Sequence, residues 1–212
     1  MSERRDSGVA ESTARATPRL SRSDRRTQLL AAAKGAFVAQ GYHAAAMDDI
    51  ADRAGVSKPV LYQHFPSKLE LYLALLSESA DELVHLVEAA LLGTSDNDER
   101  VHRAVEAYFT FVAGDDQAYR LIFESDLRGQ AQVEHIVDRA TDACIAAITD
   151  TITTDTGVDP QRSRLLAAAL VGLSQVSARY WLTQSPGVPR GDAIELLSTL
   201  AWRGISRFPR HP

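Results

Sequence analysis

The sequence predicts an all-α protein, with a small N-terminal three-helix part and a larger C-terminal helical part, about nine helices in all. Apolar residues recur at helical spacing along almost the whole chain after residue 22, and no segment shows the alternation of a strand. Serine, aspartate, glycine and proline punctuate this pattern at positions that start and stop helices. The segment from residue 47 to residue 68 stands apart, because it reads as two very short helices around a tight turn.

Composition fits a soluble globular protein. Hydrophobic residues make up 45% and charged residues 24% of the 212 positions, and no apolar run approaches the length of a membrane helix. The start of the chain lacks the apolar core of a signal peptide, and the single cysteine, Cys144, rules out an internal disulfide. We therefore expect a cytoplasmic protein without a membrane partner.

The net charge of −5 is unevenly distributed along the chain. Residues 1–70 hold 11 Lys and Arg against 8 Asp and Glu, whereas residues 71–212 hold 12 against 20. An excess of basic charge in the first third alone indicates a nucleic-acid partner for that part. Residues 1–22 lack hydrophobic periodicity and are expected to be a disordered basic arm, either a solvated tail with loose phosphate contacts or an arm in an adjacent minor groove.

Three short elements open the folded part. The first helix is expected to start at Ser23, a plausible N-cap, and to stop at Gly41. The apolar face of the next helix ends at Gly55, which accepts the positive φ of a C-cap. Ser57 can cap the helix after it, and Pro59 lies in the first turn, where its missing N–H is no loss. Such a pair is typical of a helix-turn-helix, whose second helix enters the DNA major groove; an ordinary surface αα-hairpin is the alternative.

The second helix of this pair carries five chemically different side chains within barely two turns. A cation, an apolar ring, a phenol, an amide and an imidazole are available to a partner: Lys58, Pro59, Tyr62, Gln63 and His64. Only Val60, Leu61 and Phe65 remain to anchor it inward. A helix with so little apolar surface is marginal alone, so neighbouring helices must hold it.

The chain from Arg25 to Leu76 resembles the TetR-type bacterial transcription regulators, most specifically in the string GVSKPVLYQHFPSK. The resemblance implies that Lys58 and Pro59 contact base edges or their flanks. It implies phosphate contacts for four more residues: Ser57, Tyr62, His64 and Lys68. Family members usually carry Thr or Ser where this chain has Ala46, so Met47 would contribute through its backbone N–H at most.

The resemblance also divides the chain into a DNA-binding domain of residues 23–69 and an effector-binding and dimerisation domain of residues 70–208. Ser67 and Glu70 have the spacing of a capping box, and the helix that they open is expected to reach about Leu92. Later helices are separated by these breaks: Asp96, Gly114-Asp115, Gly157 and Asp159-Pro160. The last two helices, Pro160–Thr183 and Asp192–Phe208, correspond to those that pair with their symmetry mates in TetR-type dimers, which implies a homodimer.

No catalytic constellation is present. Cys144 lies on an apolar helical stripe, where a packed thiol is expected rather than a nucleophile. The six histidines have no ligand spacing, and no HExxH, GxSxG or Gly-rich phosphate loop occurs. We expect a protein that is not an enzyme and has no cofactor or metal.

The apolar stripes of the distal helices are either plain core or the wall of a ligand cavity. TetR-type distal domains usually enclose a cavity, and aliphatic walls favour an acyl chain over a polar drug, at about 0.8 kcal/mol per buried methylene. The candidate lining residues are Leu83, Val87, Leu91, Val105, Tyr108, Phe109, Val112, Phe123, Ile136, Val137, Ala140, Cys144, Leu173 and Tyr180.

A narrower resemblance covers nearly the whole chain after the arm. The stretches GYHAAAMDDIADRAGVSKPVLYQHFPSKLELYLALL, YRLIFESD and ARYWL are similar to the actinobacterial TetR-type regulators of fatty acid synthesis. This implies an activator of fatty acid synthase genes whose operator affinity falls when long-chain acyl-CoA binds. The alternatives are a TetR-type repressor of an efflux or detoxification gene released by another lipophilic ligand, and a small-ligand binding protein without a DNA function.

Overall fold

The computed structural model describes residues 20–114, 119–120, 127, 129–185 and 187–205. Within these ranges every regular element is a helix, which confirms the predicted fold class, and eight helices have defined limits. They are α1 (Arg22–Ala44), α2 (Met47–Arg53), α3 (Lys58–His64), α4 (Lys68–Leu92), α5 (Asn97–Val112), α6 (Ala131–Thr156), α7 (Pro160–Gln184) and α8 (Arg190–Ile205). A further short helix was predicted between α5 and α6. Most of this segment lies outside the described residues. Tyr119 and Arg120, which are described, are helical.

Helix α1 begins earlier than its predicted cap. The hydroxyl of Ser21, not that of Ser23, accepts the backbone N–H of Asp24 at 3.1 Å. Ser23 is already inside the helix, whereas Ser21 has the extended backbone that an N-cap requires. Helical geometry is lost at Gly41, where φ is +77°, as the sequence predicted. Residues 1–19 of the predicted arm lie outside the described ranges.

The turn between α2 and α3 closes with two backbone hydrogen bonds. The N–H of Val56 donates to the carbonyl of Ala51, and the N–H of Gly55 donates to that of Asp52, each at 3.0 Å. Gly55 has a φ of +64°, the left-handed conformation that this helix stop needs. The predicted stop of the first short helix is therefore confirmed.

The start of α3 differs from the prediction. The Ser57 hydroxyl makes no capping hydrogen bond. Pro59 removes the donor at the second helical position, and the N–H of Val60 bonds the Ser57 carbonyl instead. Packing against neighbouring helices, rather than a side-chain cap, must therefore fix the start of α3.

Helix α4 joins the two domains. It packs against α1 at its beginning and against α5 and α6 along the rest of its length. Its predicted start is confirmed, because the Ser67 hydroxyl accepts the N–H of Glu70 at 3.1 Å. From Leu76 onward its inner face is buried, whereas Leu69 and Leu73 in the first two turns are only half-buried. The first turns of α4 bury another set instead: Leu71, Tyr72 and Leu75.

The distal domain is a helical bundle around a continuous apolar core. Helix α6 lies between α4 and α7, and α5 packs against α4, α7 and α8. Predicted helix limits hold at three places, because Asp96 caps α5, Gly157 ends α6 with a φ of +71°, and Asp159 caps α7. The segment between α5 and α6 also contacts the first domain, where the Arg120 guanidinium donates to the carbonyl of Val38 at 2.9 Å.

Helices α7 and α8 present apolar side chains to solvent. The exposed residues are Leu165, Val176 and Tyr180 of α7 and Leu196 and Leu200 of α8. Among the described residues, α7 is the one helix whose length and mean hydropathy of 1.2 would suffice to cross a bilayer. Only 22% of its most apolar window is buried, so this face is left uncovered by the residues that the structure describes.

Candidate nucleic-acid interface and ligand cavity

Helix α3 is anchored by a few side chains and exposes the rest. Leu61 is fully buried and Phe65 is 2% exposed. The Arg26 guanidinium lies 4.6 Å from the centre of the Phe65 ring, a cation–π contact between α1 and the end of α3. The predicted DNA-contacting side chains of α3 are thereby free to face a partner: Lys58, Pro59, Tyr62 and Gln63 are exposed and His64 is half-buried.

A second contact from α1 holds the turn before α3. The Gln28 amide donates to the carbonyl of Ala54 at 2.8 Å, and Arg25 donates to the Gln28 oxygen at the same distance. Ala54 is the residue at which α2 ends. The helix that precedes the motif therefore fixes the angle at which α2 and α3 meet.

The beginning of α2 has no side-chain cap. Ala46 has the extended backbone of an N-cap but no hydroxyl to offer, as the sequence predicted. Met47, a candidate contact, is 8% exposed, so its side chain belongs to the core. Only backbone N–H groups are left at this helix start for an approaching phosphate, whose charge they favour.

Lys58 forms an ion pair within the motif. Its ammonium lies 2.5 Å from the Asp48 carboxylate of α2, and both side chains are more than half exposed. The hydrogen bond to Asp48 raises the pKa of Lys58 above its usual value. The cation expected near base edges is therefore paired with an acid before DNA arrives, and exposed pairs of this kind are weak.

Lys68 has a position that the sequence did not indicate. Its ammonium donates to the carbonyls of Tyr42, His43 and Ala45 at 2.9, 3.2 and 3.0 Å, and lies 4.6 Å from the Tyr42 ring centre. These carbonyls follow the break in α1 at Gly41. All three ammonium N–H groups have acceptors within the chain, which gives Lys68 a structural role, and its phosphate contact stays a prediction.

The Lys68 site belongs to an aromatic cluster beneath the motif. The ring centroids of Phe37 and Tyr42 are 5.9 Å apart, and Tyr72 of α4 meets them edge-on at 5.3 and 5.2 Å. Such pairs add to the free energy of burial. The cluster and Lys68 together fasten the beginning of α4 to the end of α1.

The distal domain contains a cavity of about 230 Å³. It lies where α4 ends, between α5, α6 and α7, with Trp202 of α8 on its wall. Three of the predicted lining residues face it: Leu91, Val105 and Tyr108. Further wall residues are Val101, Ala104, Ile148, Ile152, Leu166 and Leu170, so most of the wall is aliphatic.

The other predicted lining residues lie elsewhere. Six are buried in the core without facing this cavity: Leu83, Val87, Phe109, Val112, Ala140 and Cys144. Ile136, Val137 and Leu173 are half-buried away from it. Tyr180 is 61% exposed, so it does not line an interior site, because it belongs to the outer face of α7. Phe123 lies outside the described residues.

The two ends of the cavity differ in polarity. At the inner end Tyr108 lies beside the Cys144 thiol, and burial raises the pKa of both groups, so both stay neutral at physiological pH. At the outer end Arg100 forms an ion pair with Asp155 of α6. The Arg100 side chain is only 18% exposed, which makes it the most buried charge described on the cavity wall.

Sequence reasoning missed the polar end because nothing in the local pattern points to it. Arg100 and Asp155 are separated by 55 residues and meet only when α5 packs near the end of α6. Asn97 joins them at the start of α5, where it accepts from the Arg100 guanidinium at 2.9 Å. The one signal available was an arginine one turn into a helix whose other inward residues are apolar.

Replacement of Lys68 by methionine tests its structural role. We expect Lys68→Met to lower the free energy of unfolding by about 1.5–3 kcal/mol, because three carbonyls lose a charged donor. DNA affinity should fall for all sequences while the salt dependence of binding stays unchanged. Chemical denaturation and fluorescence anisotropy at several salt concentrations measure both quantities.

The matched control is Lys58→Met, which should leave stability within about 0.5 kcal/mol of the parent because Lys58 is exposed. A Lys68→Met protein of normal stability whose salt slope falls by about 1 would show that Lys68 contacts a phosphate after all.

Removal of the acid that pairs with Lys58 should strengthen DNA binding. We expect Asp48→Asn to raise the affinity for any duplex about two- to fivefold, because the lysine no longer leaves a partner when it meets DNA. Titration of a labelled duplex at low and moderate salt checks this. Asp49→Asn is the control, since it removes an equal charge from an exposed neighbour; an equal gain in both variants would mean that net charge, not the ion pair, is responsible.

Known proteins similar to this chain include helix-turn-helix transcription regulators. The HTH-type transcriptional activator FasR of Mycolicibacterium smegmatis is 52% identical over 191 residues, which cover 90% of this chain and 87% of FasR. An uncharacterized HTH-type transcriptional regulator of Mycobacterium tuberculosis is 26% identical over 160 residues, 75% of this chain and 68% of that protein.

Solved structures share the fold. A TetR-like transcriptional regulator from Rhodococcus sp. RHA1 aligns with a TM-score of 0.69 and 30% identity, over 89% of this chain and 100% of its own. The transcriptional regulator FadR from Bacillus subtilis, crystallised in complex with stearoyl-CoA, aligns with a TM-score of 0.66 over 82% of this chain and 96% of its own. Its identity of 19% shows a common fold alone.

Two family profiles account for most of the chain. Residues 29–75, which hold the helix-turn-helix, match the bacterial regulatory proteins of the tetR family. Residues 97–204, which hold most of the cavity wall and the exposed apolar face, match the tetracyclin repressor-like C-terminal domain. The chain therefore belongs to the tetR family of bacterial regulatory proteins, and it is a DNA-binding transcription regulator rather than an enzyme.

Proposed function

We propose that this protein is a dimeric activator of fatty acid biosynthesis genes whose operator affinity falls when long-chain acyl-CoA occupies the distal cavity. The similarity to the activator FasR supports the sign of regulation. The observation that carries the proposal is an apolar cavity whose wall includes the end of the same helix that begins under the DNA-reading motif.

The connection between cavity and DNA depends on α4. A helix of 25 residues spans roughly 38 Å at 1.5 Å per residue. Lys68 ties its first turn to the carbonyls at the end of α1, and Leu91, in its last turn, lines the cavity. No glycine or proline interrupts the helix, so displacement at one end moves the other instead of being absorbed by a kink.

The size of the cavity suggests why a long chain in particular is the signal. A protein cavity of about 150 Å³ holds benzene, so by proportion 230 Å³ holds roughly nine carbon atoms. A chain of sixteen or more carbons exceeds that volume, and the walls have to separate to admit it. Such a ligand binds an expanded state more tightly than the observed one, which is the condition for a population shift.

The exposed apolar face supplies the proposed dimer interface. Its five large side chains, those of α7 and α8 already named, are between 60% and 73% exposed. Patches of this kind on a DNA-binding protein mark association surfaces. A two-fold dimer would place two copies of α3 about 34–36 Å apart, one helical turn of DNA. The same contact explains the apolar character of α7 without a membrane, in keeping with a cytoplasmic location.

A charge on the exposed face should separate the protomers. We expect Leu200→Glu to yield monomers at micromolar concentration, because association would bury an unpaired carboxylate. Sedimentation equilibrium measures the mass, and anisotropy should show a loss of at least tenfold in affinity for a palindromic operator. Leu92→Glu is the control, since Leu92 is 85% exposed at the end of α4; dissociation of both variants alike, or of neither, would contradict this interface.

The effector is tested by chain length. Operator complexes titrated with acyl-CoA of 8, 12, 16 and 20 carbons should dissociate only with the longer compounds, and ligand affinity should rise about fourfold for each methylene buried. Isothermal titration and anisotropy give the two readouts.

The outcomes of that titration separate the alternatives. Release by structurally unrelated drugs and not by acyl-CoA would identify a repressor of efflux or detoxification genes. Binding of acyl-CoA by a protein that binds no operator would identify a small-ligand binding protein without a DNA function.

A further inference from the structure

The cavity has one polar end, and the groups there are not all satisfied. Asn97, Arg100 and Asp155 lie together on the wall, where α5 begins and α6 approaches its end. Leu91 and the aliphatic side chains of α5 and α6 continue from them toward Tyr108. A ligand that fills this space with hydrocarbon therefore brings one of its ends against a guanidinium and an amide.

A count of donors shows what these groups lack. The Nε–H of Arg100 is shared between the carbonyls of Leu91 and Thr94 at 3.0 and 2.8 Å. The two N–H groups of Nη1 donate to Asn97 and Asp155. A guanidinium has five N–H groups, so the two on Nη2 have no acceptor in the part of the chain that the structure describes. The Asn97 side-chain oxygen accepts from Arg100, while the Asn97 NH₂ group has no acceptor among the described residues.

These donors are shielded from solvent only in part. The Arg100 side chain is 18% exposed and Asn97 is half-buried, and neither contributes a fully buried polar atom without a partner in the described part of the chain. A ligand that fills the cavity with hydrocarbon excludes water from these N–H groups, so a ligand that also provides an acceptor avoids the free-energy cost of leaving them unpaired. The ligand group complementary to this end of the cavity is consequently a hydrogen-bond acceptor.

Local charge decides which acceptor fits. Asp155 already neutralises Arg100, and the exposed carboxylates of Asp96 and Asp98 lie nearby at the start of α5. A ligand carboxylate would add a further negative charge beside Asp155 and be repelled. A neutral carbonyl oxygen accepts from Nη2 and from the Asn97 amide without changing the charge.

We propose that Arg100 and Asn97 bind the uncharged carbonyl oxygen of an acyl thioester or ester, and that this contact makes the cavity select activated acyl groups over free fatty acids. The inference rests on the proposed function, because it assigns the head end of that same ligand. The acyl tail then points inward toward Tyr108, and the remainder of the thioester leaves the cavity beside the start of α5. The pantetheine arm of CoA is longer than the Debye length of about 10 Å at 0.1 M salt, so the carboxylates near the opening repel its phosphates only weakly.

Two ligands that differ only in the carbonyl test this contact. Palmitoyl-CoA and hexadecyl-CoA have the same sixteen-carbon chain, but the second is a thioether without the oxygen. The wild-type protein should bind palmitoyl-CoA about tenfold or more tightly, as expected for a buried hydrogen bond to a charged donor. Asn97→Ala and Arg100→Lys should each reduce that preference to threefold or less, as measured by isothermal titration.

The control is Arg103→Lys, one turn further along α5. Arg103 also bonds a carboxylate and a backbone carbonyl, those of Glu99 and Gly93, but it does not face the cavity. Its variant should keep the full preference for palmitoyl-CoA. If Arg100→Lys unfolds, Asn97→Ala still decides the matter, because Asp96 and not Asn97 caps α5.

The outcomes separate the two proposals. Equal binding of palmitoyl-CoA and hexadecyl-CoA by the wild type, with operator release by both, would overturn the carbonyl contact and leave the acyl-CoA effector intact. Binding of neither compound would overturn the effector itself. Palmitate should bind more weakly than methyl palmitate, and equal affinity of those two would contradict the selection against carboxylates.

Discussion

The two domains depend on one uninterrupted helix that is fixed at both ends. At its start the Lys68 ammonium donates to three carbonyls that follow Gly41 in the chain, and an aromatic cluster packs around that contact. At its end Leu91 forms part of the cavity wall. A helix satisfies its own backbone hydrogen bonds and resists bending where it has no glycine or proline. The position of the reading motif is thus tied to the arrangement of helices more than 30 Å away, roughly the length of α4.

In the helix-turn-helix the residues that anchor α3 are separate from those predicted to contact DNA. Leu61 and Phe65 are buried, while Lys58, Tyr62 and Gln63 stay exposed. Gln28 and Arg26 of the preceding helix supply the support that two turns of helix cannot give themselves. The surface that meets DNA can therefore change in sequence without loss of the fold, and the pairing of Lys58 with Asp48 shows that it is not built for maximal attraction.

Features that depend on neighbouring residues were predictable from the sequence, and features that depend on how helices meet were not. Capping by Ser67, Asp96 and Asp159 and the glycine stops each involve a few consecutive residues, so they could be placed to within a residue or two. The predicted Ser57 cap does not form, because the N–H of Val60, three residues on, bonds the Ser57 carbonyl and not its hydroxyl. Packing between helices that are distant in sequence determines the cavity wall, the outward position of Tyr180 and the Arg100–Asp155 pair. The periodicity of a single helix does not encode such packing.

The small volume of the cavity has a consequence for what a cell would measure with this protein. Under the proposed function, chains of up to roughly nine carbons would fit the walls as they stand and would occupy the site without forcing it open. Such molecules would compete with longer ones and leave the DNA-bound state in place, since a ligand with equal affinity for two states shifts neither. The regulator would then respond to the proportion of finished to unfinished chains in the acyl pool, and a rise in total acyl groups of unchanged composition would pass unnoticed.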